Sequence, residues 1–480
     1  MTRNEEVELK LELAPADVAR FRALAPLGKP AREAAAQVTT YYDTPEGTLR
    51  KAGYSLRLRR KRGRTVQTVK ERGGDSGGFS ARAEWERRVA GSALDFEALE
   101  ETPLGKILSK KKLRGRLGIV SETRVRRTVW NLKQGKSAIE LILDEGEVAA
   151  GPLSEPICEV ELELKSGRRA DLFALARKLG DALPLRMGVE SKSERGFRLA
   201  GRRRRRHVKA EAVALAPDMT VAEAFAGIVQ ACLRHFRLNE PHIPACDAEA
   251  LHQARVAIRR LRSAFALFKP ALAGDEALRA RLRDLARELG AARDLDVVIA
   301  KRRKSGVPPP PGERKRLRGE RRQAYEAVNA TLASLHLPAL ILDIVAFAEA
   351  GAWRDGELGK RPVIGFADER LARQWRRLRK SGSDLSALEP EPRHRLRIEA
   401  KRLRYAAEFF VGLTSKEKRR DRNAFMAALE ELQECLGALN DIETARAVSP
   451  DLPPPGDEAA LLAGSQQALD ALRRAGPFWR

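Results

Sequence analysis

The sequence of 480 residues is poor in aromatic side chains and in cysteine. Phe, Trp and Tyr make up 5% of it, which argues against binding single-stranded nucleic acid by stacking bases on rings. The four cysteines are scattered without the spacing of a disulfide framework, so we expect a reducing compartment. No apolar run approaches the length of a membrane span, and the first residues are charged rather than signal-like. We therefore predict a cytoplasmic protein with no membrane partner.

Positive charge is what the chain has in excess. It carries 91 Lys and Arg against 66 Asp and Glu, a formal net charge of +25. This balance favours a polyanionic partner, such as a phosphate chain or nucleic acid. Nucleic-acid binding would rest on charge alone, because no recognition motif is present, and we do not expect it. The length predicts two to four domains.

The first 200 residues are built mainly from short segments in which charged and apolar side chains alternate. Side chains two apart on a strand point the same way, so each segment predicts a strand with one charged and one apolar face. Helices are predicted between them at 15–25, 96–111 and 169–182. The predicted strands are residues 5–13, 54–60, 65–71, 83–89, 124–132, 137–143 and 157–165, separated by polar turns such as the glycine-rich 73–78.

The strand near the N-terminus places Glu6, Glu8 and Lys10 on one face and Val7 and Leu9 on the other. Two neighbouring carboxylates repel each other unless a cation lies between them. A hard divalent metal, which prefers oxygen ligands, is an obvious candidate for that cation.

The charged faces allow two interpretations, an open sheet with one solvated side or a sheet closed around a charged lumen. Closure accounts better for the charged strands taken together, because apolar side chains then face outward under helices. The acidic positions are Glu6, Glu8, Glu84, Glu86, Glu140, Asp144, Glu159, Glu161 and Glu163. The basic positions are Lys10, Arg57, Arg59, Lys70, Arg124, Arg126 and Lys192.

From Met219 onward the apolar residues recur at helical spacing, and the sequence repeats itself. Residues 252–262 are echoed by 394–404, and residues 289–296 by 436–443, in the same order. We interpret this half as an internal duplication. The predicted domains are 1–200, a basic linker at 201–217 that includes the run Arg202–Arg206, and 218–480. The last contains repeats at about 218–306 and 318–447 and a proline-rich loop at 307–312.

Each repeat carries a basic stripe at helical spacing. The stripes are His252, Arg255, Arg259 and Arg262, and His394, Arg397, Lys401 and Arg404. Like charges along one face repel, so acids or a bound polyanion must offset them. Intramolecular ion pairs with Asp294, Asp296, Asp441 and Glu443 are one reading, and a groove for a linear polyanion is the other.

Two resemblances join these observations. The E-x-E-x-K strand, with residues 55–59, 68–70, 139–144, 159–163 and 191–193, resembles the CYTH family of triphosphate tunnel metalloenzymes. Residues 218–447 resemble the CHAD domain, and the combination is similar to bacterial CYTH-CHAD inorganic triphosphatases. The resemblance implies an α+β chain: an eight-stranded antiparallel β tunnel or barrel with flanking helices, followed by an all-α domain of two duplicated helical bundles.

The same resemblance implies a site. It implies Mg²⁺ or Mn²⁺ held by Glu6, Glu8, Asp144, Glu159 and Glu161, with the choice among Glu159, Glu161 and Glu163 open. It implies triphosphate held by Lys10, Arg57, Arg59, Lys70, Arg124, Arg126 and Lys192. By the same resemblance, the catalytic residues would be Glu6, Glu8, Lys10, Arg57, Arg59 and Lys70. The two basic stripes would bind polyphosphate.

The expected function is metal-dependent hydrolysis of the terminal phosphoanhydride of inorganic triphosphate, by an enzyme whose helical module binds polyphosphate. Positioning and charge neutralisation are what such a reaction needs from a protein. The alternatives are a non-catalytic polyphosphate-binding or targeting protein, a thiamine triphosphatase and a class IV adenylate cyclase. The sequence leaves open the number of metals, cooperation between the halves and the oligomeric state.

Overall fold

A computed structural model describes residues 2–61, 63–71, 77–201, 207–304, 311–381, 385, 388–448 and 457–479. The chain forms two compact units. The first comprises Met1–Ala210, Val229–Ile258 and Asp275–Gly351, and the second comprises Glu211–Ile228, Arg259–Gly274 and Ala352–Arg480. The sheet and part of the helical half therefore belong to one unit.

The sheet of the first unit has nine strands in the order β5-β4-β3-β2-β6-β7-β8-β1-β9. They are β1 Thr2–Glu12, β2 Arg32–Asp43, β3 Tyr54–Lys61, β4 Arg64–Glu71, β5 Phe79–Val89, β6 Gly118–Gln134, β7 Ser137–Ala150, β8 Leu153–Ser166 and β9 Arg186–Met187. Strand β1 also pairs with β5, which joins the two ends of the order. Eight antiparallel strands thus close on themselves, and the short β9 is added to β1.

The closed sheet turns its apolar face outward. Leu56, Val69 and Trp85, from three consecutive strands, pack with Leu99 and Leu104 from short helices that cover them. Each fully buried side chain of this size contributes about 1.5–3 kcal/mol. Charged side chains of the same strands consequently point into the lumen, as the alternation predicts.

Helices flank the sheet and form the rest of the chain. Up to residue 201 they are α1 Val18–Arg22, α2 Thr48–Lys51, α3 Phe96–Glu100, α4 Pro103–Ile107, α5 Lys111–Arg114, α6 Arg169–Gly180 and α7 Lys192–Ala200. Beyond it they are α8 Val221–Asn239, α9 Ala248–Phe268, α10 Glu276–Lys304, α11 Glu313–Ala333, α12 His336–Ala350, α13 Glu357–Lys360, α14 Val363–Ser381, α15 Pro390–Phe409, α16 Arg419–Val448 and α17 Glu458–Ala475.

The repeats of the sequence fall on matching helices. Residues 252–262 lie on α9 and their echo lies on α15, while 289–296 lie on α10 and their echo on α16. In the second unit, Phe268 packs against Phe225, Phe366 and Phe410, with ring centroids 5.0–6.0 Å apart. The α+β class, a closed antiparallel sheet followed by a helical region, is confirmed.

Some elements differ from the predictions. Strand β2 was not predicted, because its first half is rich in alanine and lacks clear alternation. Residues 73–76, the run Arg202–Arg206 and most of the proline-rich loop lie outside the described residues. The segment His336–Asp355 is long and apolar enough to cross a membrane by length and composition, contrary to expectation. Of its apolar stretch, 61% is buried within the fold, as in a core helix.

Replacing Gly146 with Ala should destabilise the sheet. A Cβ atom at this position of β7 would lie 2.0 Å from the backbone oxygen of Arg124 on the paired strand β6. Paired backbones cannot separate without losing hydrogen bonds, so we expect the free energy of unfolding to fall by about 1–3 kcal/mol. Thermal denaturation would measure this. Gly118→Ala on β6 is the control, since no atom lies within 4 Å of its added Cβ, and an equal loss there would contradict the explanation.

Candidate functional site

The lumen of the sheet contains a cavity of about 380 Å³, here called the tunnel cavity. Its lining is dominated by charged side chains of both signs. The cations are Lys10, Arg57, Arg59, Lys70, Arg127, Lys165, Lys192 and Arg234, and the carboxylates are Glu6, Glu8, Glu71, Glu84, Glu86, Glu140, Glu161, Glu163 and Glu194. Such a lining suits a small, highly charged ligand rather than an apolar one.

One ion-pair cluster lies where β1, β3, β4 and β5 face the lumen. The Lys70 ammonium lies 2.5 Å from Glu6 Oε2 and 3.2 Å from Glu84 Oε2. Arg57 binds the other oxygen of Glu84 at 3.0 Å. Lys70 pairs with Glu84 across neighbouring strands in the sheet register, so the backbone itself brings these charges together.

A second cluster is centred on Lys192, the first residue of α7. Its ammonium lies 2.9 Å from Asp144 Oδ2, 2.8 Å from Glu159 Oε2 and 2.7 Å from Glu161 Oε1. Arg127 donates to both oxygens of Asp144 and, at 3.0 Å, to Glu161. With Arg195, which pairs with Glu159 at 3.1 Å, three carboxylates are thus matched by a lysine and two arginines in a buried space.

This match keeps the acids ionised. Burial opposes the charge of Asp144, but Lys192 and Arg127 outweigh it and lower the pKa of that carboxyl. The pKa of Glu161 is held well below its ordinary value in the same way, against burial. Conversely, the three carboxylates raise the pKa of Lys192 well above its usual range, although burial acts in the opposite direction.

Two lumen cations are matched less directly. Among the described residues, the side chains of Lys10 and Arg59 form no ion pair or hydrogen bond, and the Arg59 Nε is buried without a partner. Lys10 acts at longer range, since together with Lys192 it lowers the pKa of Glu159 and of Glu161 against burial. Burial, Arg57 and Arg127 together lower the pKa of Arg59 to about 10. A buried cation beside other cations is costly unless an anion joins them. The cavity is therefore arranged to accept one.

An acid-rich part of the cavity offers oxygen ligands. Glu8 faces Glu163 across the β1–β8 ladder, and Glu140 faces Glu163 across β7–β8. Burial raises the pKa of Glu163, and Glu6 and Glu140 add to this against the opposing Lys165. A hard divalent cation would relieve that repulsion, so the donor chemistry fits such an ion. Among the described residues, however, no group of three His, Cys, Asp or Glu side chains is already arranged around a metal position.

The structure brings most of the predicted site residues together. Glu6, Glu8, Lys10, Arg57, Arg59, Lys70, Glu161 and Lys192 line the tunnel cavity, with Glu84, Glu86, Glu140 and Glu163. Asp144 and Glu159 lie behind the lining, at 0% and 1% exposure, as partners of Lys192. The roles assigned to these residues stay predictions.

The placement predicted for Arg124 and Arg126 is wrong. Both are exposed on the outer face of β6, and the side chain of Arg124 is 60% accessible and pairs with Glu122 and Glu147. Arg127 points into the lumen instead. The sequence does not show which face of this strand points inward, because arginines occupy both even positions, Arg124 and Arg126, and the odd position Arg127. Both faces also carry other polar residues.

Arg127, Lys165, Arg195 and Arg234 were missed by the sequence reasoning. Lys165 continues the parity of Glu161 and Glu163, so the alternation of β8 could have identified it. Arg195 lies one turn after Lys192 on α7 and binds Glu159 at 3.1 Å. Arg234 lies on α8, in the half assigned to a different domain, and nothing in its local sequence indicates that it lines the cavity.

In the second unit, Arg259, Arg397, Lys401 and Arg404 form a basic cluster. Burial and these arginines lower the pKa of Lys401 to about 8, against the nearby Asp441. The Arg259 Nε donates to the Tyr405 hydroxyl at 2.6 Å, and the Arg397 Nε is buried without a hydrogen-bond partner. Arg404 pairs with Glu408 at 2.9 Å, so among the described residues intramolecular pairing neutralises only part of this cluster.

The other stripe residues are placed differently. His252 and Arg255 belong to the first unit, where Arg255 pairs with Asp294 at 3.0 Å. In the second unit, His394 hydrogen-bonds Asn440 at 2.8 Å through its Nδ1. Asp296 does not offset a stripe residue, because its carboxylate binds Arg321 and Tyr325. Among the described residues, salt bridging accounts for Arg255 and Arg404 but not for Arg259, Arg397 and Lys401.

Comparison with known proteins agrees with both resemblances. A family model of the CYTH domain matches residues 4–197, and one of the CHAD domain matches residues 227–449. The inorganic triphosphatase of Haemophilus influenzae is 31% identical over 173 residues, which cover 34% of this chain and 46% of that protein. The chain thus matches less than half of the length of this relative.

Two solved structures are similar to parts of the chain. The CHAD domain from the plant Ricinus communis is 28% identical, with 56% of this chain and 96% of that domain covered and a TM-score of 0.39. A putative adenylyl cyclase from Hippeastrum, described as having a dominant triphosphatase activity, is 22% identical. The match covers 40% of this chain and 95% of that protein, with a TM-score of 0.32.

Replacing Asp144 with Asn should destabilise the first unit, because it leaves Lys192 and Arg127 buried with one carboxylate fewer. We expect a loss of about 3–5 kcal/mol at pH 7, measured by denaturant unfolding. The folded-state pKa of Asp144 is lowered, so its contribution is complete above about pH 4 and is lost as the pH falls through the folded value. The difference from wild type should therefore shrink on acidification.

The control for this variant is Asp284→Asn, which breaks an exposed pair with Arg287. That change should cost no more than about 1 kcal/mol. A difference between Asp144→Asn and wild type that stays constant from pH 7 to pH 3 would contradict the charge explanation.

Proposed function

Because the chain contains a CYTH domain followed by a CHAD domain, we propose that it is a divalent-metal-dependent inorganic triphosphatase with a polyphosphate-binding helical module. The observation that carries the proposal is the pair of lumen cations, Lys10 and Arg59, whose side chains form no ion pair with a carboxylate of the described residues. Inorganic triphosphate is a small polyanion of the kind that such a cavity would bind.

In the proposed reaction, water displaces diphosphate from the terminal phosphorus and yields phosphate. Lys10, Arg57 and Arg59 contact the phosphate oxygens, with guanidinium groups donating two hydrogen bonds each where the geometry allows. Lys70 holds Glu6 and Glu84 in place, while Lys192 and Arg127 keep Asp144 and Glu161 ionised against burial. These fixed charges stabilise the negative charge that spreads over the transferred phosphoryl group.

Glu6 and Glu8, with Glu161 and the acid-rich part of the cavity, would hold the metal ion. When bound, Mg²⁺ or Mn²⁺ would neutralise phosphate oxygens and help to orient the triphosphate. A carboxylate of this set would also orient the attacking water by accepting its hydrogen bond. The enclosed lumen limits access of other water to the reacting groups.

The helical module would bind longer phosphate chains through the basic cluster. Arg397 and Lys401 carry charge that no described carboxylate pairs with directly, although Asp441 is close enough to raise the pKa of Lys401. A polyanion would supply negative charge to Arg259, Arg397 and Lys401, while Arg404 is already paired with Glu408. The cytoplasmic location and the domain boundaries at 200 and 218 are further parts of this proposal.

The alternatives differ in what the cavity does. A receptor would bind phosphate chains without turnover, but nine carboxylates in the lining would then weaken its binding. A thiamine triphosphatase or an adenylate cyclase would need room for an organic group beside the triphosphate. The mostly charged lining of the cavity favours the inorganic substrate.

Replacing Glu8 with Ala should lower phosphate release from tripolyphosphate, in Mg²⁺ or Mn²⁺, by roughly 100-fold or more. Glu8 lies in the lumen at 7% exposure, beside the strand position of Lys10, and the change removes a charge rather than a core side chain. We therefore expect the melting temperature to stay within a few degrees of wild type.

Glu147→Ala is the matched control, because Glu147 is a glutamate on the outer face of the same sheet. It should retain full activity. Undiminished turnover by Glu8→Ala would remove Glu8 from the site, and an equal loss in Glu147→Ala would show that the effect is not local.

The full chain should bind long-chain polyphosphate more weakly as the pH rises above 8. Burial and its arginine neighbours lower the pKa of Lys401 to about 8, so the free protein loses this charge in that range. A polyanion favours the protonated form, and binding should take up a proton. We expect affinity to fall by up to about tenfold per pH unit above 8 at constant salt.

Lys401→Arg should remove most of that pH dependence, since arginine stays charged. Titrations at pH 7 and pH 9, each at two salt concentrations, measure it. A polyphosphate affinity that changes neither with salt concentration nor on the Lys401→Arg substitution would contradict a polyphosphate site at this cluster.

A further inference from the structure

We propose that Arg234 and Arg237 of helix α8 position Lys192 in the tunnel cavity, so that the helical half supplies part of the site. This inference rests on the function proposed for the cavity. Lys192 is carried by a segment, residues 187–194, that contains β9 only at its start and leads into α7. Its position in the lumen therefore depends on what holds this segment.

Arg234 holds the middle and the end of the segment. One terminal nitrogen donates to the backbone oxygen of Val189, and the other donates to Glu194 Oε1 at 3.0 Å. Arg234 is 8% exposed and lines the cavity, and its Nε has no hydrogen-bond partner among the described residues. A buried guanidinium with these contacts fixes two points on either side of Lys192.

Arg237, one turn later on α8, holds the beginning of the segment. Its Nε donates to the backbone oxygen of Met187 at 3.0 Å. The same guanidinium binds Glu12 of β1 at 2.8 Å and also Glu240. Arg237 thus joins the segment to the strand that carries Glu6, Glu8 and Lys10.

Glu194 transmits the contact from Arg234 to Lys192. Its other carboxylate oxygen accepts from the backbone N–H of Ser191 at 2.8 Å, and the Ser191 hydroxyl accepts from the N–H of Glu194. This reciprocal capping box fixes the first turn of α7, and Lys192 is the first residue of that helix. From there its ammonium reaches Asp144, Glu159 and Glu161.

The contacts lie within the first unit, which includes residues 229–258 together with the whole sheet. Arg234 and Arg237 also lie within the match to the CHAD domain model. The helical half is therefore a structural part of the tunnel, and Arg234 and Arg237 are positioning residues that act through Lys192. Loss of either should change the environment of Lys192 even when no substrate is present.

The test measures the reactivity of Lys192 in the full-length protein. Short exposure to acetic anhydride, followed by peptide mass spectrometry, reports how accessible its amine is. Wild type should protect Lys192, while Arg234→Ala should increase its acetylation by about tenfold or more, because hydrogen bonds to a charged group that restrain local opening are lost. The same variant should raise the KM for tripolyphosphate more than it lowers kcat. Arg234→Lys should restore part of the protection, because a lysine can still donate to Glu194.

Arg177→Ala is the control. Arg177 of α6 pairs with Asp343 of α12 at 2.7 Å, which is another contact from the sheet region to the helical half, but it does not touch the 187–194 segment. Lys192 should stay protected in that variant. If Arg234→Ala does not fold, Glu194→Gln tests the same link with a smaller change and should expose Lys192 to a lesser extent.

Unchanged protection of Lys192 in Arg234→Ala, or equal exposure in Arg177→Ala, would overturn the inference. The acetylation assay contains no substrate, so its outcome is independent of turnover. Exposure of Lys192 in a protein that never hydrolyses tripolyphosphate would support the positioning role and reject the proposed function. If wild type hydrolyses tripolyphosphate but Arg234→Ala leaves the acetylation of Lys192 unchanged, the proposed function is supported and the positioning role is rejected.

Discussion

The structure depends on how buried charges are balanced inside a closed sheet. Closure forces alternate side chains of eight strands into one lumen, where unpaired ions are costly. The Lys192 ammonium pairs with three buried carboxylates at once, and Arg127 donates further hydrogen bonds to this cluster. The side chains of Lys10 and Arg59 are left without an ion pair among the described residues. On the proposed function, these two cations bind the anion, and the acid-rich part of the cavity holds the metal ion.

The same balance links the two halves of the chain. Lys192 does not belong to a long strand and reaches the lumen from a helix start that α8 holds through Arg234 and Arg237. A tunnel built in this way does not end where the strand-rich sequence ends. The helical half also carries cations in the second unit, Arg259, Arg397 and Lys401, that form no ion pair among the described residues. On the proposed function, the protein would have two polyanion sites, the tunnel cavity for a short chain and the basic cluster for a long one.

Much of this could be predicted from the sequence, because alternation and helical spacing are local signals. The charged face of β1, the outward apolar face of β3–β5 and the paired repeats on α9 and α15 all follow from them. Strand parity was harder, and Arg127 rather than Arg124 or Arg126 faces the lumen, because charges occur on both sides of β6. Arg234 could not be predicted, since its role depends on a contact between residues 40 apart in the chain.

Phosphate release from tripolyphosphate, ATP and thiamine triphosphate, each in EDTA, Mg²⁺ or Mn²⁺, tests the central claim most directly. We predict fast release from tripolyphosphate that requires a divalent metal, and much slower release from the two organic triphosphates. No release from any of the three, while polyphosphate still binds, would contradict the account and make the tunnel a receptor for phosphate chains.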